Sequence, residues 1–185
     1  MLDFSKAFDT VAHKRLPLKL EYYGIHGHHL NWMQSWLLNR TQKVVLKGEH
    51  SEKSNVKSGV PYWTVSWPLC FLLYINDMSN NISSNLRLLA DDTLLYGLVH
   101  NTSDALHLQR DLDSLVTWVQ EWQMNFHPSK CYVLCIYRIK NPILHHYTIL
   151  KAVDHQPYLG ITISKTLNWK THTVSWMWRI KQIRP

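Results

Sequence analysis

An α+β fold with a largely antiparallel sheet is what this sequence predicts, on three observations. Segments with apolar residues at helical spacing alternate with short β-prone runs. Two pairs of those runs flank turn-forming residues closely enough to make hairpins. The order along the chain is strand, helices, hairpin, helix, hairpin, helix, strands, which groups strands in antiparallel pairs. A chain of 185 residues, 45% of them hydrophobic, suits one globular domain.

The elements follow from local chemistry. Residues 1–4 are an apolar stub that predicts the end of a strand. Over 14–23, Leu16, Leu20 and Tyr23 follow helical spacing, Pro17 fits only the first turn, and Gly24 stops the helix. A second helix is predicted over 29–39 through Leu30, Met33 and Leu37, with Trp32 and Trp36 one turn apart beside that stripe. Residues 42–47 alternate, a polar turn is expected over 48–55, and 56–60 returns as the second arm of a hairpin. Residues 61–68 read as a loop and 69–78 as a buried helix. The runs 86–90 and 93–98 make a second hairpin with Asp91 and Asp92 at its tip. The stretch Asn101-Thr102-Ser103-Asp104 supplies an N-cap for a helix whose buried stripe is Leu108, Leu112, Leu115, Val119 and Trp122. Strands are expected over 131–137, 147–150 and 158–163. The tail from Asn168 is basic, Trp-rich and ambiguous.

The net charge of +7, from 20 Lys and Arg against 13 Asp and Glu, is compatible with a polyanionic partner such as nucleic acid. Three cysteines, Cys70, Cys131 and Cys135, include no C-x-x-C pair, which argues against a disulfide framework or a zinc ribbon. Buried thiols are the expected reading, with a ligand role as the alternative, and they point to a reducing compartment. The N-terminus lacks the charged and apolar regions of a signal peptide, and the longest apolar stretch is too short to span a bilayer. An intracellular protein, nuclear or cytoplasmic, is expected, with no membrane partner.

Three carboxylates draw attention on physical grounds. Asp3 follows an apolar pair at a strand end, and Asp91 and Asp92 stand between apolar strands. Adjacent like charges repel, and apolar flanks make their desolvation expensive. A divalent cation relieves both costs, and hard carboxylate oxygens suit Mg²⁺. Alone, however, an Asp-Asp pair in a hairpin is an ordinary solvated turn.

The flanking residues add to this. Leu2-Asp3-Phe4-Ser5-Lys6-Ala7-Phe8-Asp9-Thr10-Val11-Ala12-His13 resembles the first catalytic motif of non-LTR reverse transcriptases. Leu89-Ala90-Asp91-Asp92 resembles their F-A-D-D motif, with Leu in place of Phe. Ser58-Gly59-Val60-Pro61 is similar to the loop motif between them, followed by Leu72-Leu73-Tyr74-Ile75-Asn76-Asp77. Trp118, Trp122, Phe126, Lys130 and Cys131 fit the later W…W…F…KC segment, and Tyr158-Leu159-Gly160-Ile161 the Y-L-G motif. The detail most resembles jockey-like and related animal LINE elements.

The resemblance implies a right-hand polymerase palm over residues 1–165, with 166–185 the start of a thumb or a disordered tail. It implies RNA-directed DNA synthesis by two-metal nucleotidyl transfer, with two Mg²⁺ ions (or Mn²⁺), an RNA template, a DNA primer and deoxynucleoside triphosphates. Asp3 and Asp91 would ligate the metals, with Asp92 supporting. Phe8 would sit under the incoming sugar and exclude a 2′-hydroxyl; the alternative is a core aromatic. Ser58, Gly59, Val60 and Pro61 would line the template and nucleotide pocket. Lys130 would lie near the triphosphate and protonate pyrophosphate; the alternative is a solvated lysine at a strand start. Tyr158, Leu159 and Gly160 would form the hairpin that holds the primer end; the alternative is a buried strand.

The chain departs from the family after Pro61. The pattern Q-G-T-x-L-G-P is replaced by Tyr62-Trp63-Thr64-Val65-Ser66-Trp67-Pro68. Indoles in place of glycines predict a clash with template or nucleotide, with Trp63 stacking on a base as the competing expectation. The chain opens at the first motif, and 24 residues follow Ile161. A fingers region before and a full thumb after are therefore expected to be missing. Two functions remain: a degenerate reverse transcriptase fragment, or a non-catalytic nucleic-acid-binding remnant or domesticated module.

Overall fold

The computed structural model describes residues 1–38, 40–60, 66–136, 150–169 and 172. In chain order, β1 (Leu2–Asp3) precedes a 3-10 turn at Ala7–Asp9, then α1 (Leu16–Tyr22) and α2 (Gly27–Leu37). Four two-residue strands follow: β2 (Thr41–Gln42), β3 (Val45–Leu46), β4 (Glu49–His50) and β5 (Ser54–Asn55). Then come α3 (Ser66–Ile75), β6 (Asn85–Leu89), β7 (Asp92–Tyr96) and α4 (Thr102–Glu121). The described part ends with β8 (Tyr132–Val133), β9 (Lys151–Ala152), β10 (His155–Tyr158) and β11 (Ile161–Ser164). The expected mixture of helices and antiparallel hairpins is present, and β8 pairs with β9 in parallel. No described helix is long and apolar enough to cross a membrane.

The chain forms two compact units, one of residues 4–126 and one of residues 1–3 with 127–185. In the first, Leu16 and Leu20 of α1, Phe71 and Ile75 of α3, and Leu115 and Val119 of α4 are buried. α1 accepts Pro17 because it falls in the first turn, where no intrahelical amide is lost. α4 starts as its cap predicts: the Asn101 side chain accepts the Asp104 amide at 2.9 Å, and Asp104 accepts the Asn101 amide at 3.2 Å. Asp111, on the buried face of α4, receives the amides of Ser83 (3.1 Å) and Ser84 (2.7 Å) and the Ser83 hydroxyl. It thereby ties the approach to β6 onto the helix.

The first hairpin differs from expectation. Lys47 (φ 51°) and Gly48 (φ 87°) make a two-residue turn, so the return arm begins at once. Val45 pairs with His50 and Leu46 with Glu49, and Thr41 pairs with Asn55. Residues 49–55 are the return arm rather than a turn; the Val56 amide still reaches the Arg40 carbonyl at 2.9 Å, and 57–60 is released for another role. α3 also begins earlier than expected, at Ser66, which puts Pro68 in its first turn where proline is tolerated. The rest of the expected 61–68 loop, residues 61–65, lies outside the described residues.

In the second unit, the Tyr132 amide donates to the Met1 carbonyl (3.0 Å) and the His127 amide to the Asp3 carbonyl (2.8 Å). The expected strand over 131–137 is regular only at Tyr132 and Val133 and has no hydrogen-bonded strand geometry over 134–136, while Tyr137 and the predicted residues 147–149 lie outside the described residues. Cys131 is buried but Cys135 is only half-buried, because no strand places the two thiols on one buried face. The run 158–163 is not one strand. Leu159 (φ 49°) and Gly160 (φ 80°) turn the chain, and Tyr158 pairs with Ile161 across the turn.

Candidate active site

The hairpin β6–β7 carries two of the candidate carboxylates. Its register pairs Leu89 with Asp92 and Leu88 with Thr93. The connection is therefore Ala90-Asp91, one residue earlier than the expected Asp91-Asp92 tip, and Ala90 takes the left-handed φ of 51° that so tight a turn requires. Asp91 sits in the turn and Asp92 opens β7; both are half-buried. By strand alternation Asp92 shares a face with Arg87 and Leu94, while Thr93 points to the opposite, buried face.

Around the first motif, the 58–60 segment clasps the backbone of 8–12. The Gly59 amide donates to the Val11 carbonyl at 2.8 Å, and the Val60 amide to the Phe8 carbonyl at 3.1 Å. Ser58 and Ala12 form an isolated antiparallel bridge. Gly59 has φ +84°, and a Cβ there would lie 3.1 Å from the Asp9 Cα and carbonyl oxygen and 3.3 Å from the Phe8 oxygen. Only glycine allows this approach without strain. The Gly59 carbonyl is held in turn by two side chains, His13 Nε2 at 2.6 Å and Arg40 Nη1 at 3.4 Å. Burial pulls the His13 imidazole below its ordinary pKa; the Gly59 acceptor opposes this and the nearby Arg40 charge adds to it.

The Phe8 ring is half-buried and lies 4.4 Å from the Phe71 ring, tilted by 48°. One part of the ring is thus a core contact. Phe4, further in, stacks on Phe126 at 4.9 Å and meets Phe71 edge-on at 6.5 Å.

Asp3 belongs to the other unit. Its carboxylate pairs with the Lys130 ammonium at 3.4 Å; the side chains are 30% and 58% exposed. The pair is thus partly solvated and contributes about 0–1 kcal/mol to stability. Cys131 packs beneath, its sulfur accepting the Asp3 amide at 3.5 Å, and burial raises its thiol pKa. Tyr158, Leu159 and Gly160 form a solvent-facing hairpin turn: Leu159 is 50% exposed, so the segment is not a buried strand.

The structure thus brings Phe8, Ser58, Gly59 and Val60 together, sets Asp91 beside Asp92, and sets Asp3 beside Lys130. Pro61, with Tyr62 and Trp63, lies outside the described residues, and nothing is described of the Trp67 side chain. Among the described residues no three or more His, Cys, Asp or Glu side chains are grouped to hold a metal ion. The donor chemistry still fits Mg²⁺, which takes one or two carboxylates and completes its shell with water and substrate phosphates. The sequence by itself assigns no role to His13, the last residue of the first motif, or to Arg40. No local pattern marks either, because their shared partner is a backbone carbonyl distant in sequence from His13.

A glycine-dependent loop is clasped to the backbone of residues 8–12, and Asp91 and Asp92 stand on a tight antiparallel hairpin. The model for the family described as reverse transcriptase (RNA-dependent DNA polymerase) matches residues 1–163, and the chain belongs to that family. Among curated proteins it is 28% identical to the probable RNA-directed DNA polymerase from transposon BS of Drosophila melanogaster, over 92% of this chain and 20% of that protein. It is 26% identical to the probable RNA-directed DNA polymerase from transposon X-element of the same organism, over 97% of this chain and 21% of that protein. It is 24% identical to the RNA-directed DNA polymerase from mobile element jockey, also of Drosophila melanogaster, over 92% of this chain and 20% of that protein. The chain spans about a fifth of the length of the curated relatives it matches.

Proposed function

We propose that this chain is the palm segment of a non-LTR retrotransposon reverse transcriptase, built for RNA-directed DNA synthesis from a primed 3′-end. The observation that carries the reading is the family match over residues 1–163. The clasp of residues 58–60 on the Phe8 backbone supports it, because a nucleotide pocket needs close backbone approach and a fixed floor.

In this reading Asp3, Asp91 and Asp92 hold the divalent cations, Mg²⁺ or Mn²⁺. When bound, such cations activate the 3′-hydroxyl and neutralise charge developing on pyrophosphate. Phe8, steadied by Phe71, supports the incoming sugar and leaves no room for a 2′-hydroxyl. Ser58, Gly59, Val60 and Pro61 orient the nucleotide and template. Lys130, already beside Asp3, supplies a proton donor for the leaving pyrophosphate. Tyr158, Leu159 and Gly160 hold the primer end. Residues 1–165 form the palm segment and 166–185 lead towards a thumb.

A second reading has its own observation. Tyr62, Trp63 and Trp67 stand where the motif elsewhere has glutamine and two glycines. Together with the net charge of +7, this favours a copy that binds nucleic acid without copying it. Primer extension on an RNA template with Mg²⁺ separates the readings. Extension that disappears in Asp91→Asn is expected from the first. Salt-sensitive template binding with no extension, unchanged by Asp3→Asn, belongs to the second.

A further inference from the structure

The geometry points to His13 as a positioning residue for the nucleotide-binding loop: through the Gly59 carbonyl, its imidazole holds residues 58–60 against the Phe8–Asp9 backbone. This rests on the reading of that loop as the nucleotide and template floor.

The loop is fixed mainly through backbone. The Gly59 and Val60 amides donate to Val11 and Phe8, and Ser58 bridges to Ala12. Those contacts fix one edge of the segment. The Gly59 carbonyl is held by side chains. His13 is 4% exposed, and its Nε2 stands 2.6 Å from that oxygen, while the more exposed Arg40 reaches it only at 3.4 Å. A carbonyl oxygen only accepts, so Nε2 must carry the hydrogen. Burial and the neighbouring guanidinium oppose a second proton on the ring, which makes the neutral Nε2–H tautomer the working form.

The consequence is geometric. A Cβ on Gly59 would lie 3.1 Å from Asp9 backbone atoms, so the segment runs close against that backbone. Rotating the Gly59–Val60 peptide would move its carbonyl and the Val60 amide together, since the peptide is planar. The Val60–Phe8 bond would shift with it. His13 therefore sets the orientation of the peptide that joins the loop to Phe8, without itself touching substrate.

The test uses the whole 185-residue chain with His13→Ala and His13→Gln. The glutamine amide nitrogen can occupy the Nε2 position, so it restores the donor. The first readout is hydrogen exchange at the Gly59 and Val60 amides. Exchange about tenfold faster in His13→Ala, near wild type in His13→Gln and unchanged in α4 is expected. Unchanged exchange at 59 and 60, or an equal rise throughout α4, overturns the proposal. Should His13→Ala not fold, His13→Asn, polar but too short to reach the Gly59 oxygen, takes its place. The second readout is affinity for a fluorescent deoxynucleoside triphosphate with Mg²⁺. A Kd raised about tenfold in His13→Ala and restored in His13→Gln is expected, a change worth about 1.4 kcal/mol. Faster exchange with an unchanged Kd overturns the positioning role. If the wild-type chain binds no nucleotide, the proposed function fails, while the exchange result still decides whether His13 holds the loop.

Discussion

Lys19 is buried with its ammonium 3.4 Å from the centre of the Trp122 ring, and the same ammonium is ion-paired with Asp77. Trp118 completes the enclosure, 5.1 Å from the ammonium and donating its indole N–H to Asp77 at 3.3 Å. Tyr74 donates to the Trp122 carbonyl at 2.6 Å, so α1, α3 and α4 meet at one charge. Burial lowers the Lys19 pKa, and the hydrogen bond and charge of Asp77, with Glu121 further off, pull it back up.

Lys19→Ala should cost about 3 kcal/mol of unfolding free energy, because it strips a largely buried carboxylate and two indole faces of their partner. Lys19→Met keeps the stem and should cost less. Urea denaturation of both variants checks this; a change of under about 0.5 kcal/mol for alanine, the level of an ordinary surface site, would refute it.

Two glycines with nearly the same φ separate strain from crowding. Gly48 (φ +87°) has nothing within 4 Å of a would-be Cβ, whereas Gly59 (φ +84°) has three backbone atoms within 3.3 Å. Gly48→Ala should cost about 1 kcal/mol, the left-handed penalty alone. Gly59→Ala should cost at least about 3 kcal/mol, since backbone must also move. Equal losses in thermal or urea melts would contradict the described clasp.

Asp111 provides a pH-dependent term. Burial raises its carboxyl pKa, but the hydrogen bonds from Ser84 and Ser83 outweigh this and leave it below the ordinary 3.8. A depressed folded-state value stabilises the protein fully above the unfolded value, and that stabilisation is lost as pH falls below 3.8 through the lower folded value. Asp111→Asn should therefore be about 2 kcal/mol less stable at neutral pH, with the gap closing in acid. A gap that stayed constant between pH 7 and pH 2 would show that the charge plays no part.

How much was legible depended on whether a signal was local. Asn101 and Asp104 lie three residues apart, and the cap and α4 formed as their spacing implies. Asp91 and Asp92 stand out through the Leu89-Ala90-Asp91-Asp92 motif, but the tip falls one residue earlier because Ala90 adopts a left-handed φ that alanine does not advertise. The first hairpin was misread because Lys47-Gly48 suffices as the whole turn, while the polar run after it looked like loop. Lys19 shares the buried face of Leu16 and Leu20, and nothing near it announces Asp77, Trp118 or Trp122. His13 and Gly59 likewise meet only once the chain has folded back by 46 residues.

Divalent-cation binding tests the central claim most directly. Mn²⁺ titration followed by electron paramagnetic resonance, in the presence of a deoxynucleoside triphosphate, should show ions bound by the wild-type chain beyond those the nucleotide binds alone. Asp3→Asn and Asp91→Asn should each abolish that extra binding, with circular dichroism unchanged. Mn²⁺ affinity that survives Asp3→Asn at its wild-type value would contradict the proposed role of Asp3 as a metal ligand.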